Sequence, residues 1–158
     1  MTADARRSGE RHLPDPPQTV WRALTERDQV RSWFPSDVIV TGGGWRVGAS
    51  IEFPFPPEVF DMTLTGEVLE IDEPNTRVFM LGDDTLRFEL SPEDGGTHPL
   101  LIDELPPGTA ARNAAGWDEC LDRLAGLEPA SERWEWRFQA YSVAFEPTLG
   151  PQEGPPTR

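Results

Sequence analysis

Between Val38 and Leu105 the chain repeats one pattern, a short alternation of apolar and polar residues followed by a turn-forming cluster. Ile51, Phe53 and Phe55 alternate with Ser50, Glu52 and Pro54, and Met62, Leu64, Gly66 and Val68 alternate with Thr63, Thr65 and Glu67. Leu86, Phe88 and Leu90 alternate with Thr85, Arg87 and Glu89. Successive strand side chains point to opposite faces, so each run specifies a strand with one apolar face. Val38 to Val40 and Val78 to Leu81 add short strands, and a last one runs from Thr97 to about Leu105. The connections are Gly42-Gly43-Gly44, Asp72 to Asn75, Gly82-Asp83-Asp84 and Asp94-Gly95-Gly96. They are too short for crossovers, so the strands form an antiparallel meander. Leu69 and Ile71 lie on the opposite parity to Val68, which places a bulge near Val68. Pro99 cannot donate to a ladder and marks an edge or a bulge.

Helical signals flank this sheet. Asp15-Pro16-Pro17 reads as a capped start, with Val20, Trp21 and Leu24 on one face. A second short helix is expected over Asp28 to Trp33, ended at Phe34-Pro35. After Pro106-Pro107-Gly108, Thr109 is a candidate cap for the longest helix, in which Ala110, Ala114, Trp117, Leu121 and Leu124 share a face. Gly126 and Pro129 close it. Ser131 then opens an amphipathic helix with Trp134, Phe138, Tyr141 and Phe145 on one face. Residues 147–158 are rich in Pro, Gly and polar residues and are expected to lack fixed structure.

A chain of 158 residues fits one domain. Its net charge of -14 repels phosphate, which argues against a nucleic-acid partner and an anionic membrane surface. No run approaches the ~20 apolar residues of a membrane helix. The polar start and the single cysteine, Cys120, fit a cytoplasmic protein without a disulfide. The basic residues are all Arg, so Schiff-base and Lys-nucleophile chemistry is excluded. His12 and His98 lack partners at metal-ligand spacing, no Gly-x-Ser-x-Gly elbow is present, and the triple glycine lacks the Gly-Lys of a phosphate loop. No cofactor or metal is expected.

Three strings carry a family resemblance. Val20-Trp21-Arg22-Ala23-Leu24-Thr25 with Trp33-Phe34 resembles the opening of the START-like (SRPBCC) superfamily, in the branch of the activator of heat-shock protein 90 ATPase. Gly66-Glu67-Val68-Leu69-Glu70-Ile71 with Pro74 and Arg77-Val78-Phe79 resembles that branch's central hairpin. Ala114-Ala115-Gly116-Trp117 with Cys120-Leu121-Asp122-Arg123-Leu124 resembles its terminal helix. The resemblance implies an α+β helix-grip fold: two short helices after the first strand, then a curved antiparallel sheet wrapped around a long C-terminal helix. It divides the chain into a helix-grip domain over residues 1–128, an extra amphipathic helix over 129–146 packed on it, and the tail. Asp118 departs from the branch, which often has His or another polar residue after the helix Trp.

In that fold Phe53, Met62, Leu64, Phe88 and Leu101 point inward, facing Trp117 and Leu121. The set reads either as plain core or as the lining of a cavity for a hydrophobic or amphipathic small molecule. Asp103 shares the parity of Leu101 and is the one candidate acid or base, with strand-end solvation or pairing to Arg87 or Arg112 as the plainer reading. The resemblance leaves three functions open: a small-molecule binder, an enzyme such as a polyketide cyclase, aromatase or hydrolase, and a chaperone-interacting protein. The aromatic helix admits a homodimer as well.

Overall fold

The computed structural model describes residues 2–4, 11–58, 61–128 and 133–154, with only the backbone of residues 2–4. Seven strands form one antiparallel sheet: β1 (Thr2–Asp4), β2 (Ile39–Val40), β3 (Ser50–Pro54), β4 (Thr63–Asp72), β5 (Thr76–Leu81), β6 (Asp84–Glu93) and β7 (Gly96–Glu104), in the order β1-β7-β6-β5-β4-β3-β2. Helices α1 (Pro17–Thr25) and α2 (Arg27–Val30) follow β1. Helix α3 (Ala110–Leu124) follows the sheet, and α4 (Arg133–Leu149) follows α3. This is the α+β helix-grip arrangement. Among the described residues no helix is long and apolar enough to cross a membrane.

The turns and irregularities explain the curvature. Asp94 and Gly95 both take positive φ, 47° and 79°, the two-residue hairpin geometry that follows the natural strand twist. Val68 pairs with Phe79 but Glu70 pairs with Val78, so Leu69 is the extra residue of a bulge. Beside it, a Cβ on Gly66 would meet the Met80 carbonyl oxygen at 1.7 Å. Only a glycine lets β4 and β5 approach so closely as the sheet bends. Pro99 interrupts nothing: it pairs with Leu90 in regular register. On the side of β7 away from β6 it lies between the Leu13–Thr97 bridge and the β1 pairing, where that edge has no strand partner among the described residues.

The helix ends differ from expectation. Asp15 does not cap α1; Pro16 precedes the helix, and the Asp15 carbonyl accepts the Thr97 hydroxyl at 2.7 Å. The Thr109 hydroxyl donates back to Pro106 O at 2.8 Å instead of capping α3. Gln152 takes that place, its Oε1 accepting the Ala111 N–H at 2.9 Å. Glu153 N–H donates to Gly108 O at 2.8 Å, and Arg112 Nη1 to Gly154 O at 3.0 Å. Residues 150–154 are thus pinned to the start of α3, and α4 continues through Pro147 to Leu149, where composition leads one to expect no fixed structure. The far end of α3 closes at Gly126 as expected: Gly126 N–H donates to Arg123 O and Leu127 N–H to Asp122 O, a Schellman motif, while Pro129 and the expected helix start at Ser131 lie outside the described residues.

Candidate functional site

Helix α3 meets the sheet through aromatic rings. Trp117 stacks on Phe34 at 5.5 Å and meets Phe88 edge-on at 5.8 Å. Phe88 stacks on Phe79 at 6.2 Å, and Phe79 on Phe53 at 6.0 Å. Of the residues expected inward, Phe53, Phe88, Leu101, Trp117 and Leu121 are buried. Leu64 is half-buried and packs on the same core, opposite Phe53. Met62 is a correction: it is 54% exposed. It precedes the first residue of β4, so the strand alternation does not reach it.

The space between these rings and the helix pair is small. A cavity of about 10 Å³, room for about one water, lies among buried residues beside Phe34, Phe53, Trp117 and Arg77. Phe53 and Trp117 line it, whereas Met62, Leu64, Phe88, Leu101, Asp103 and Leu121 do not. Phe34 and Val38 line it from the segment between α2 and β2. That segment is latched by Asp37, whose carboxylate accepts from Arg27 Nε at 3.0 Å and Nη2 at 2.6 Å, with Arg31 at 3.5 Å. The Arg27 hydrogen bond holds the Asp37 carboxyl down at about 2.

Arg77 is the residue that sequence reasoning missed. It stands opposite Phe88 and two residues before Phe79, on the inward parity of β5, and is 2% exposed. Its guanidinium lies 4.5 Å from the Trp45 ring, 4.7 Å from Phe79 and 4.8 Å from Phe88. Nη1 donates to Leu24 O, while Nε has no acceptor among the described residues. The neighbouring end carbonyls of α1 are taken by indoles: Trp33 Nε1 donates to Ala23 O at 2.8 Å and Trp45 Nε1 to Thr25 O at 3.0 Å. Three side chains thereby satisfy a helix end that would otherwise bury bare carbonyls, and the cation sits at the negative end of the helix dipole. Burial pushes the Arg77 pKa down to about 9, which leaves it charged at neutral pH. The signal was available: with Phe79 inward, parity puts Arg77 inward too.

Asp103 does point inward, at 4% exposure, and neither oxygen has a hydrogen-bond partner among the described residues. It pairs across the sheet with Leu86 and forms no ion pair with an Arg among the described residues, so the expected pairing to Arg87 or Arg112 does not form. Arg87 bonds Glu70 and Glu89 instead, and Arg112 lies against Glu153. Burial, reinforced by the Asp84 charge, raises the Asp103 carboxyl to about 8; the Trp117 indole opposes the rise without completing a hydrogen bond. Asp103 is therefore a neutral acid at pH 7, set apart from the cavity lining.

Two other polar groupings are structural. Asp118 and Asp122 on α3 are both 1% exposed. Tyr141 Oη donates to Asp118 at 2.7 Å, Arg137 lies 2.9 Å and Arg133 3.4 Å from Asp122, and Arg11 bonds the Asp122 carboxylate and the Asp118 carbonyl. This network joins α4 to α3. The aromatic face of α4 is half-buried, with Trp134 stacked on Phe138 at 5.2 Å and Tyr141 on Phe145 at 5.4 Å. His12 and His98 converge on exposed Glu93 at 3.5 and 3.6 Å. Among the described residues no group of His, Cys, Asp and Glu fits a metal ion. Cys120 is buried and its thiol is pushed up to about 12 by that burial, so it is packed and inert.

Solved structures share this fold. The conserved protein of unknown function EF2215 from Enterococcus faecalis is 23% identical, with TM-score 0.67 over 85% of this chain and 81% of that one. CalU16 from Micromonospora echinospora is 20% identical, with TM-score 0.66 over 85% of this chain and 84% of that one. MLL2253 from Mesorhizobium loti is 20% identical, with TM-score 0.65 over 80% and 95%. No curated protein matches the sequence. The family model for "Activator of Hsp90 ATPase homolog 1-like protein" matches residues 15–127, from the start of α1 past the end of α3, and the chain belongs to that family.

Proposed function

We propose that this protein binds a small hydrophobic or amphipathic molecule between the curved sheet and α3. The observation that supports this reading is the aromatic cavity at the Phe34–Trp117 stack, which is walled on one side by a short latched segment rather than by a strand. Its volume of about 10 Å³ describes a closed form. A ligand enters by displacing the Phe34 ring from Trp117. The deep wall, made of strand residues Phe53 and Phe79, stays in place. Ligand sites are commonly apolar clefts with few placed polar groups, and here Arg77 is that group.

The test is native mass spectrometry of freshly purified protein together with a tryptophan-fluorescence screen of aliphatic and aromatic compounds. A co-purified adduct, or a saturable response that Phe34→Ala strengthens, is the expected result. A flat response to every compound, with Phe34→Ala equally silent, sinks the proposal and makes these residues ordinary core.

A second reading has one observation behind it. Asp103 is a buried carboxyl that is neutral at pH 7, the state a general acid needs. If it catalyses, Asp103→Asn abolishes turnover and leaves binding intact; the binding reading expects affinity unchanged and no turnover in either protein.

A further inference from the structure

The geometry points to a carboxylate as the head group of the ligand: Arg77 is an anion anchor, and the ligand class is an apolar or aromatic body carrying one carboxylate. This rests on the binding reading above and narrows it.

A guanidinium offers five N–H donors and accepts nothing. At Arg77 one of them, on Nη1, goes to Leu24 O. Nε has no acceptor, and no hydrogen bond from Nη2 forms among the described residues. Nε and Nη2 share the edge that a carboxylate takes in a bidentate pair, and Nη1 lies on the other side. The edge in use and the edge left over are therefore different edges. The two indole N–H groups beside it are already spent on Ala23 O and Thr25 O, so they do not compete for a ligand acceptor.

The charge balance points the same way. Taking a cation out of water costs several kcal/mol, which an ion partner normally offsets. Elsewhere in this protein that rule is kept: Asp118 and Asp122 are surrounded by Arg11, Arg133 and Arg137. At Arg77 no carboxylate of the described residues acts on the guanidinium, and its lowered pKa comes from burial. One helix-end carbonyl and three ring faces hold the cation in place but leave its charge uncancelled. In a chain with 28 acidic residues, the missing counter-ion at this one buried site is supplied from outside.

The experiment compares matched ligands that differ only in the head group: decanoate against decan-1-ol, and 4-phenylbutyrate against 4-phenylbutan-1-ol. Titrations are followed by calorimetry and tryptophan fluorescence on the full chain. The acid of each pair is expected to bind at least about tenfold more tightly than its alcohol. Arg77→Met is expected to erase that preference while keeping alcohol binding, and Arg77→Lys, which keeps the charge if the methionine variant fails to fold, to retain part of it. The ¹⁵N–¹H signal of Arg77 Nε, assigned by its loss in Arg77→Lys, should shift with acid and stay still with alcohol. Alcohols that bind as tightly as acids, or an Nε signal that ignores both acids, overturn the anchor and leave the binding reading standing. If no compound binds, both fall.

Discussion

Two buried clusters of charge lie on opposite sides of α3, and they are built on opposite plans. Toward α4, Asp118 and Asp122 meet three guanidiniums and a tyrosine hydroxyl. Toward the sheet, Arg77 meets three aromatic rings and one carbonyl oxygen. The first cluster is charge-compensated, each carboxylate facing guanidiniums, although Arg11 Nε and Arg137 Nη1 have no hydrogen-bond partner among the described residues. The second has a free hydrogen-bonding edge. A buried network with its charges paired fixes one arrangement of elements, and a buried cation with no counter-ion calls for an explanation of its own.

The largest effect should come from breaking the charge-paired side. Asp122→Asn takes a carboxylate from Arg11, Arg133 and Arg137, which are 13%, 39% and 15% exposed in their side chains, and leaves Asp118 as the remaining partner of Arg11 and Arg137. Loss of a buried ion-pair partner costs about 3–5 kcal/mol, and here the lower end applies because the guanidiniums reach water. Urea denaturation should show a loss of about 3 kcal/mol. The pH dependence is set by sign. Burial raises the Asp122 carboxyl but Arg11 and Arg137 outweigh it, so its folded pKa lies below its ordinary 3.8. Its contribution is present above that value and fades as pH falls through the lower folded one. A variant as stable as wild type would mean that α4 rests on its aromatic face alone.

Asp103 belongs to neither plan, and its pH profile runs the other way. Its folded pKa of about 8 lies above the ordinary 3.8, so between those values the unfolded chain has released a proton that the folded one keeps. Wild-type stability therefore falls, through this group, as pH rises from about 4 to about 8. Asp103→Asn removes that slope. Relative to wild type the variant should gain about 2 kcal/mol or more between pH 5 and pH 8, measured by urea denaturation at each. A constant difference would show that Asp103 is ionised in the fold.

The same contrast between near and far sequence signals decides how much of the molecule was legible. The strands, the bulge at Val68 and the closure of α3 at Gly126 follow from period, parity and turn chemistry within a few residues. What was illegible depends on partners far along the chain. The N-terminal cap of α3 is Gln152, 41 residues from Ala111, and the expected local cap Thr109 turns away. Asp118 and Asp122 gain their meaning from Arg11, more than 100 residues earlier. Arg77 was readable in position, since it shares the parity of Phe79, but nothing local says that a charge will be kept there. Gln152→Ala tests the distant cap: thermal denaturation should reveal a loss of about 1 kcal/mol, as for other N-terminal caps. No change would make the tail a passenger.

The smallest stability effect is expected where burial is just as complete. Arg77→Met strips Leu24 O of its donor and ends three ring contacts. An orphaned carbonyl costs about 1–3 kcal/mol, and a cation over a ring contributes about 0.5–2 kcal/mol. Against this, the variant no longer buries a cation without a counter-ion, and replacement of buried charge by an apolar side chain of similar volume is often neutral or stabilising by about 1–4 kcal/mol. The terms nearly cancel, and urea denaturation should place the variant within about 1 kcal/mol of wild type. A loss near the ~3 kcal/mol expected of Asp122→Asn would mean that Arg77 is as well compensated as the charge-paired network on the far side of α3. In that event the cation is a helix cap and no more, and the difference between the two clusters disappears.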